Sequence, residues 1–283
     1  MALVSAAEIV GKARAAGSGA GAFNVIGIEH AEAIVAGAEA ARAGVVLQVS
    51  ENCVGYHGRL EPIGRAVLAV AGAAAVPVAV HLDHATREDV VKEAAELGFG
   101  SVMFDASVLP YADNVRATAD IAAWCHEQDV WVEAELGEIG GKDGVHAAGA
   151  RTDPHEAAEF VAATGVDALA VAVGSSHAMV SRDAILDLDR IAAIRATVPV
   201  PLVLHGSSGV PDDALSAGVA AGLTKINIAT QLNKVFTAAV RDSLAGDGAM
   251  TDPRRYLTAG RDAVASEVCR LLGVLAANAA GDA

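Results

Sequence analysis

Val76-Pro77-Val78-Ala79-Val80-His81-Leu82-Asp83 is an almost unbroken apolar run that ends in charge, and a helix opened at Thr86 and closed at Gly98 follows it. Continuous apolar runs, unlike alternating ones, suit parallel strands covered by helices on the outer face. Thr86-Arg87-Glu88-Asp89 has the form of a capping box for that helix, and Gly98 is placed to close it. The same strand-then-helix unit recurs in both directions. Upstream lie Ala20 to Val25 and Val45 to Ser50; downstream lie Ser101 to Ala106, Val130 to Leu136, Ala168 to Gly174, Pro201 to Gly206 and Lys225 to Thr230. Helix signals fill the gaps: Asp153 caps a helix with Pro154 at its first position and Gly165 as its stop, and Pro211-Asp212-Asp213 opens another that Gly222 ends.

Eight such units within 283 residues predict an α/β fold, a single-domain (β/α)8 TIM barrel, whose usual size is about 250 residues. The competing arrangement is a doubly wound open sheet. No linker or fixed-period repeat divides the sequence, so 1–283 reads as one barrel domain with a C-terminal helical extension. Gly137 to Thr152 is a long, polar, Gly-rich loop of the kind that serves as a functional flap.

Composition narrows the function. With 20 Lys plus Arg against 35 Asp plus Glu, the net charge of −15 excludes a basic footprint for nucleic acid or an anionic membrane. An anionic substrate must then be gathered by a metal, backbone N–H groups or a few local cations. Cys53, Cys125 and Cys269 form no CxxC pair and read as small, buried hydrophobes. The longest apolar stretch, Ala66 to Val80, is broken by Pro77 and falls short of the ~18 residues of a spanning helix. A cytoplasmic protein is expected.

A barrel gathers its chemistry at the C-terminal ends of its strands. His84, His177 and His205 each fall at such an end or in the turn after it, beside Gly, Ser or Asp. Three imidazoles brought together there form an open catalytic metal site. Asp83 adjoins His84 and is suited to general acid/base work, or alternatively to the N-terminus of the helix that Thr86 opens. Glu133 and Glu135 share one strand face, and acids are poor packing residues, so both point to a site. His81 shares a face with Asp83 and reads as support for the ligands. His30, His57, His126, His146 and His155 read as ordinary surface residues. The His205-Gly206-Ser207-Ser208-Gly209 loop and Asn227-Ile228-Ala229-Thr230 would make a phosphate cradle from backbone N–H groups after strands seven and eight.

Taken together these motifs resemble the class II, metal-dependent ketose-bisphosphate aldolases of fructose- and tagatose-bisphosphate type, nearly end to end. The resemblance rests on Ala22-Phe23-Asn24, Gln48-Val49-Ser50, His81 to His84, Ser101 to Ser107 and Val132 to Gly137. Gly140-Gly141, the His177 region, Leu204-His205-Gly206, Lys225 to Thr230 and Asp252-Pro253-Arg254 extend it. It implies zinc or another divalent cation on His84, His177 and His205, with Glu135 an alternate or nearby ligand and Asp105 lining a metal-proximal position. It implies Asp83 as catalytic acid/base, and substrate or phosphate contacts at Asn24, Ser50, Ala178, Gly206, Ser207, Ser208, Asn227, Ile228, Ala229 and Thr230. Arg254 would reach the far phosphate from a neighbouring subunit. A monovalent cation near the phosphate loops and assembly as a homodimer or homotetramer are also implied. The apolar stretch Ala263 to Leu275 would pack on that neighbour.

The chain departs from the family in three places. Ala178 stands where glycine is usual, and Ser207 where alanine or glycine is common. The flap, Gly140-Gly141-Lys142-Asp143-Gly144, is shorter and lacks the glutamate after its glycine pair, leaving Asp143 to substitute from a shifted position. Rival readings are a non-catalytic barrel subunit that stabilises a partner aldolase, and an aldolase acting on another ketose or ketose phosphate. The metal mechanism requires no lysine Schiff base, for which Lys225 is a candidate only in the rival, lysine-based mechanism.

Overall fold

The computed structural model describes residues 2–136, 151–176 and 181–276. Helix α1 (Ala6–Ala15) leads into eight parallel strands that follow one another round a closed barrel. These are β1 (Ala20–Asn24), β2 (Val45–Ser50), β3 (Val78–Ala85), β4 (Ser101–Phe104), β5 (Trp131–Glu135), β6 (Ala168–Ala170), β7 (Leu202–Leu204) and β8 (Leu223–Ile228). Pairing of β1 with both β2 and β8 closes the ring and excludes the open sheet. Around it run α2 (Ile28–Ala41), α3 (Glu51–His57), α4 (Leu60–Ala73), α5 (Glu88–Leu97), α6 (Tyr111–Glu127), α7 (Pro154–Thr164), α8 (Leu188–Thr197) and α9 (Asp212–Ala221). Helices α10 (Thr230–Gly246) and α11 (Pro253–Ala276) follow the last strand. No described helix is long and apolar enough to cross a membrane.

Period-two alternation sorts each strand between two cores. Phe23, Leu47, Val49, Val80 and Leu82 point outward and pack under the helices. Ala20, Ala22, Val46, Ala79, Ala168, Ala170 and Trp131 point inward and meet Ala6, Ile9, Val10 and Ala13 of α1, which stops the N-terminal end of the barrel. Each large side chain buried in these layers stabilises the fold by about 1.5–3 kcal/mol. The small inward residues leave the C-terminal half of the barrel to polar groups: Gln48, His81, Ser101, Glu133 and Lys225 are all fully buried.

The structure corrects several expectations. Helix α5 has Arg87 at its N-cap, with no side-chain cap bond. Thr86 instead donates its hydroxyl to Glu51 Oε2 (3.1 Å) across on α3, a carboxylate that the local capping box cannot outcompete. Asp83 therefore does not serve that helix end. Asp153 does cap α7 as read, accepting from His155 N and Glu156 N, and Gly165 ends it at φ 69°. His30 is buried, not superficial: it stacks on Phe236 of α10 at 4.8 Å between ring centroids. His57, His126 and His155 are exposed, and His146 lies outside the described residues.

The apolar face read at Ala263 to Leu275 is consumed within the chain. Val264, Val268, Leu271, Leu272 and Leu275 are buried. Gly37 of α2 lets α11 approach so closely that a Cβ there would lie 2.5 Å from the Ala265 carbonyl oxygen.

Candidate active site

Alternation along a strand would send Asp83 and His84 to opposite faces. The β3–β4 register shifts between Leu82 and Ala85, and His84 sits at φ 50°, in the left-handed region. A bulge of this kind re-aims a side chain at the cost of local strain, of order 1–3 kcal/mol for a non-glycine residue. Its result is that both Asp83 and His84 line one cavity of about 200 Å³ at the C-terminal mouth of the barrel. Asn24, Ser50, Gly206, Ser208, Asn227, Ala229 and Thr230 complete the wall, together with Asn52, which the sequence reading missed.

Three side chains offer ligand atoms to a common point. One atom each from His84, Glu135 and His205 lies within 4.8 Å of the others. His84 Nδ1 is 2.8 Å from Asp105 Oδ2, and Asp105 Oδ1 accepts from the Ser107 hydroxyl (2.6 Å) and backbone N–H. His205 Nε2 is 2.9 Å from Glu133 Oε1, while its Nδ1 lies 3.6 Å from Glu135 Oε2. Each imidazole thus sets one ring nitrogen against a carboxylate and leaves the other as the atom a metal would take, the support a ligating histidine needs. Two imidazoles and a carboxylate fit a divalent transition-metal ion.

The electrostatics agree with the donor chemistry. Burial opposes a charge on His84, yet the carboxylates of Asp83, Asp105 and Glu135 outweigh it and push its pKa up to about 9. Burial likewise favours a protonated Asp105, but the hydrogen bonds from His84 and Ser107 reverse this and hold its carboxyl below the usual range. Such excess negative charge favours a cation at this point. His81 stays neutral, because burial and then the Lys225 ammonium disfavour its charged form.

Asn24 donates from Nδ2 to Asp83 Oδ2 at 2.8 Å, so the carboxylate beside the candidate ligands is held from the side by the end of β1. Ser50 caps α3 by accepting from Cys53 N, and Thr230, which lines the cavity, opens the 17-residue α10, whose Gln231 N–H is given to Ser208 Oγ at 3.0 Å. Gly206 takes φ 66° at the head of the short 3-10 turn Ser207–Gly209. Not every expected contact reaches the cavity. The Ser207 hydroxyl is turned back on Leu204 O (3.1 Å), Ile228 packs in the outer core, and exposed Arg254 pairs with Asp252. His177, Ala178, Gly140, Gly141 and Asp143 lie outside the described residues.

The sequence matches the Fructose-bisphosphate aldolase class-II family over residues 4–280. The chain belongs to the class II fructose-bisphosphate aldolase family. It is 39% identical over 272 residues to the fructose-bisphosphate aldolase of Geobacillus stearothermophilus, covering 95% of each chain. Among solved structures, the YdjI aldolase of Escherichia coli K12 superposes with a TM-score of 0.83 at 29% identity, over 96% of this chain and 97% of that one. The fructose-bisphosphate aldolase of Campylobacter jejuni shares the fold with a TM-score of 0.80 at 21% identity, over 96% and 95%. This class II aldolase is a carbon–carbon lyase of a metal-dependent family whose substrates are phosphorylated sugars.

Two residues of the interior escaped the sequence reading of the aldolase. Gln48 entered only as part of a motif, and Lys225 only as a Schiff-base alternative. Lys225 is fully buried and absent from the cavity wall, so it is not placed to meet a substrate carbonyl. The strand register would have flagged Gln48, which pairs with His81 two positions before the Ser50–Asp83 pair.

Proposed function

We propose that this aldolase is zinc-dependent and reversibly cleaves a ketose 1,6-bisphosphate, fructose or tagatose, to dihydroxyacetone phosphate and glyceraldehyde 3-phosphate. The observation that carries the reading is the single cavity shared by Asp83, His84, Ser50, Ser208 and Thr230, with Glu135 and His205 grouped beside His84. His84 and His205, with His177 and Glu135, would hold the ion, and Asp105 and Glu133 would fix the imidazoles. When bound, the divalent ion supplies Lewis-acid chemistry at the substrate's C2 oxygen.

The chain's own residues do the rest. Asp83 takes the C4 hydroxyl proton as the C3–C4 bond breaks, leaving C4 as the aldehyde of one product. The released electron pair is spread over C3 and the C2 oxygen. A proton returned to C3, with Asp143 of the flap as the candidate donor, completes dihydroxyacetone phosphate. One phosphate sits on N–H groups from the Gly206–Ser208 turn, Ala178 and the Asn227–Thr230 segment, beside a monovalent cation. Ser50 serves the other, with Arg254 of a neighbouring subunit in a homodimer or homotetramer. In this reading the protein is one cytoplasmic barrel domain with a helical extension. The test is a coupled assay with both bisphosphates on one preparation, before and after chelation and after zinc is restored. Full cleavage by metal-free protein would overturn it.

A further inference from the structure

Below the cavity floor the barrel interior holds a lysine that is not itself part of the cavity wall. Lys225 Nζ lies 2.8 Å from Glu133 Oε2, 2.7 Å from Gln48 Oε1 and 2.8 Å from Asn227 Oδ1. An ammonium has N–H donors and no acceptor, so it gives two of them to the amide oxygens and meets Glu133 as an ion pair. They also set the direction of every amide they meet. Gln48 must present oxygen to Lys225, and its Nε2 therefore donates onward to Asn24 Oδ1 at 3.1 Å. Asn24 in turn has only its NH2 group left, and that group donates to Asp83 Oδ2. Asp83 Oδ1 is the oxygen with no protein hydrogen bond.

On the other side Lys225 neutralises Glu133, whose second oxygen meets His205 Nε2. Glu133 thus stands between the ammonium and the ring, with Oε1 against His205 Nε2 and Nδ1 of that ring turned towards Glu135 Oε2 at 3.6 Å. Asn227, held by its oxygen, keeps its NH2 group for the cavity it lines.

We infer that Lys225 is a positioning residue that aligns both halves of the reaction centre: through Gln48 and Asn24 it frees one chosen oxygen of Asp83, and through Glu133 it fixes the orientation of the His205 ring. No salt bridge to a partner on the surface would do this, since the fully buried ammonium leaves the amides no competing water. The inference deepens the aldolase reading and rests on it for the roles of Asp83 and His205.

Two variants separate the arms. Gln48→Met cuts the link to Asn24 while Lys225 keeps Glu133 and Asn227. Lys225→Met removes both. Each is assayed with fructose 1,6-bisphosphate, with kcat expressed per bound zinc, and zinc affinity is read by competition with a chromogenic chelator. Gln48→Met is expected to lose about 10–100-fold in kcat with KM within about threefold and zinc affinity unchanged. Lys225→Met is expected to lose kcat and also to bind zinc about 10–100-fold more weakly. A lysine that merely fills the barrel would lower the melting temperature and leave kcat per zinc intact. Wild-type kcat in folded Gln48→Met, or wild-type zinc affinity in folded Lys225→Met, overturns the inference. If Lys225→Met does not fold, Gln48→Met decides. If the wild type cleaves neither bisphosphate, the aldolase reading fails by itself and the zinc titration of Lys225→Met still judges the lysine.

Discussion

His84 Nδ1 donates its N–H to Asp105 Oδ2 at 2.8 Å, although the two residues lie at the ends of different strands of the barrel and 21 positions apart. Asp105 is itself anchored by two bonds from Ser107, so the imidazole plane is set before any ligand arrives. Nε2 is then the ring nitrogen a metal would take, displacing the proton there. Asp105→Ala should therefore weaken zinc binding by about 10–100-fold, whereas Asp105→Asn, which retains an acceptor but loses the charge, should fall between it and the wild type. Chelator competition measures both, and equal affinity in all three proteins would remove Asp105 from the account.

Asp83→Asn separates chemistry from architecture. The amide keeps the volume and can still accept from Asn24, but it cannot take a proton from a hydroxyl. The expected result is a loss of about 10²–10⁴-fold in kcat with zinc content unchanged. A variant that keeps kcat within tenfold of the wild type would assign the proton transfer to another group.

These side chains also mark how far the sequence alone can be read. The barrel was legible because apolar runs and helix stops obey local rules: Pro154 and Gly165 bracket α7 where the capping rules put them. Asp83, His84 and His205 were legible because polar residues at the C-terminal ends of apolar strands have few packing roles. The bulge at His84 was not, since positive φ at a non-glycine residue is imposed by tertiary pairing with β4 and leaves no compositional trace. Lys225 was obscured for a related reason. Its three partners come from β2, β5 and its own strand, and only closure of the barrel brings Gln48 within reach across 177 positions. Local capping rules failed at Thr86 for the same cause, a long-range carboxylate.

Thr230 stands at the first turn of α10, on the cavity wall, with a hydroxyl able to reach an anion that the helix N-terminus attracts. One hydrogen bond to a charged group contributes about 1.5–3 kcal/mol. Thr230→Val should raise KM for a bisphosphate at least about tenfold and leave zinc affinity alone. An unchanged KM would place the phosphate elsewhere.

His30 gives a pH dependence of stability whose sign is fixed by burial. Packed between α2 and α10 against Phe236, it has its pKa lowered chiefly by desolvation, with Glu29 opposing weakly. Below the unfolded value of about 6.5 the unfolded chain binds a proton that the folded chain refuses. Stability contributed by neutral His30 is thus present above that pH and declines as the pH falls through it. The drop in melting temperature between pH 7.5 and about 5.5 should be smaller in His30→Phe than in the wild type. Identical drops would show that His30 is solvated in solution.

Gly174 carries the last prediction, because it joins backbone geometry to the site. It adopts φ 120°, a region closed to L side chains, and an added Cβ would lie 2.1 Å from the Ile185 carbonyl oxygen. Backbone cannot yield to such a contact as a flexible side chain could, so the chain on either side of Gly174 must move. The next residue, Ser175, donates its hydroxyl to the His205 carbonyl oxygen at 2.6 Å, which ties this turn to one of the metal-facing imidazoles. Strain of this kind costs about 1–3 kcal/mol. For a chain somewhat above 250 residues each kcal/mol corresponds to about 2 °C or slightly less. Gly174→Ala should accordingly lower the melting temperature of metal-free protein by roughly 2–6 °C. It should also weaken zinc binding, because displacement of Ser175 releases the His205 backbone. Ser175→Ala removes the link without the clash and is expected to reproduce the weaker zinc binding with little loss in melting temperature. Zinc affinity that stays at the wild-type level in both variants would show that His205 is held by Glu133 alone.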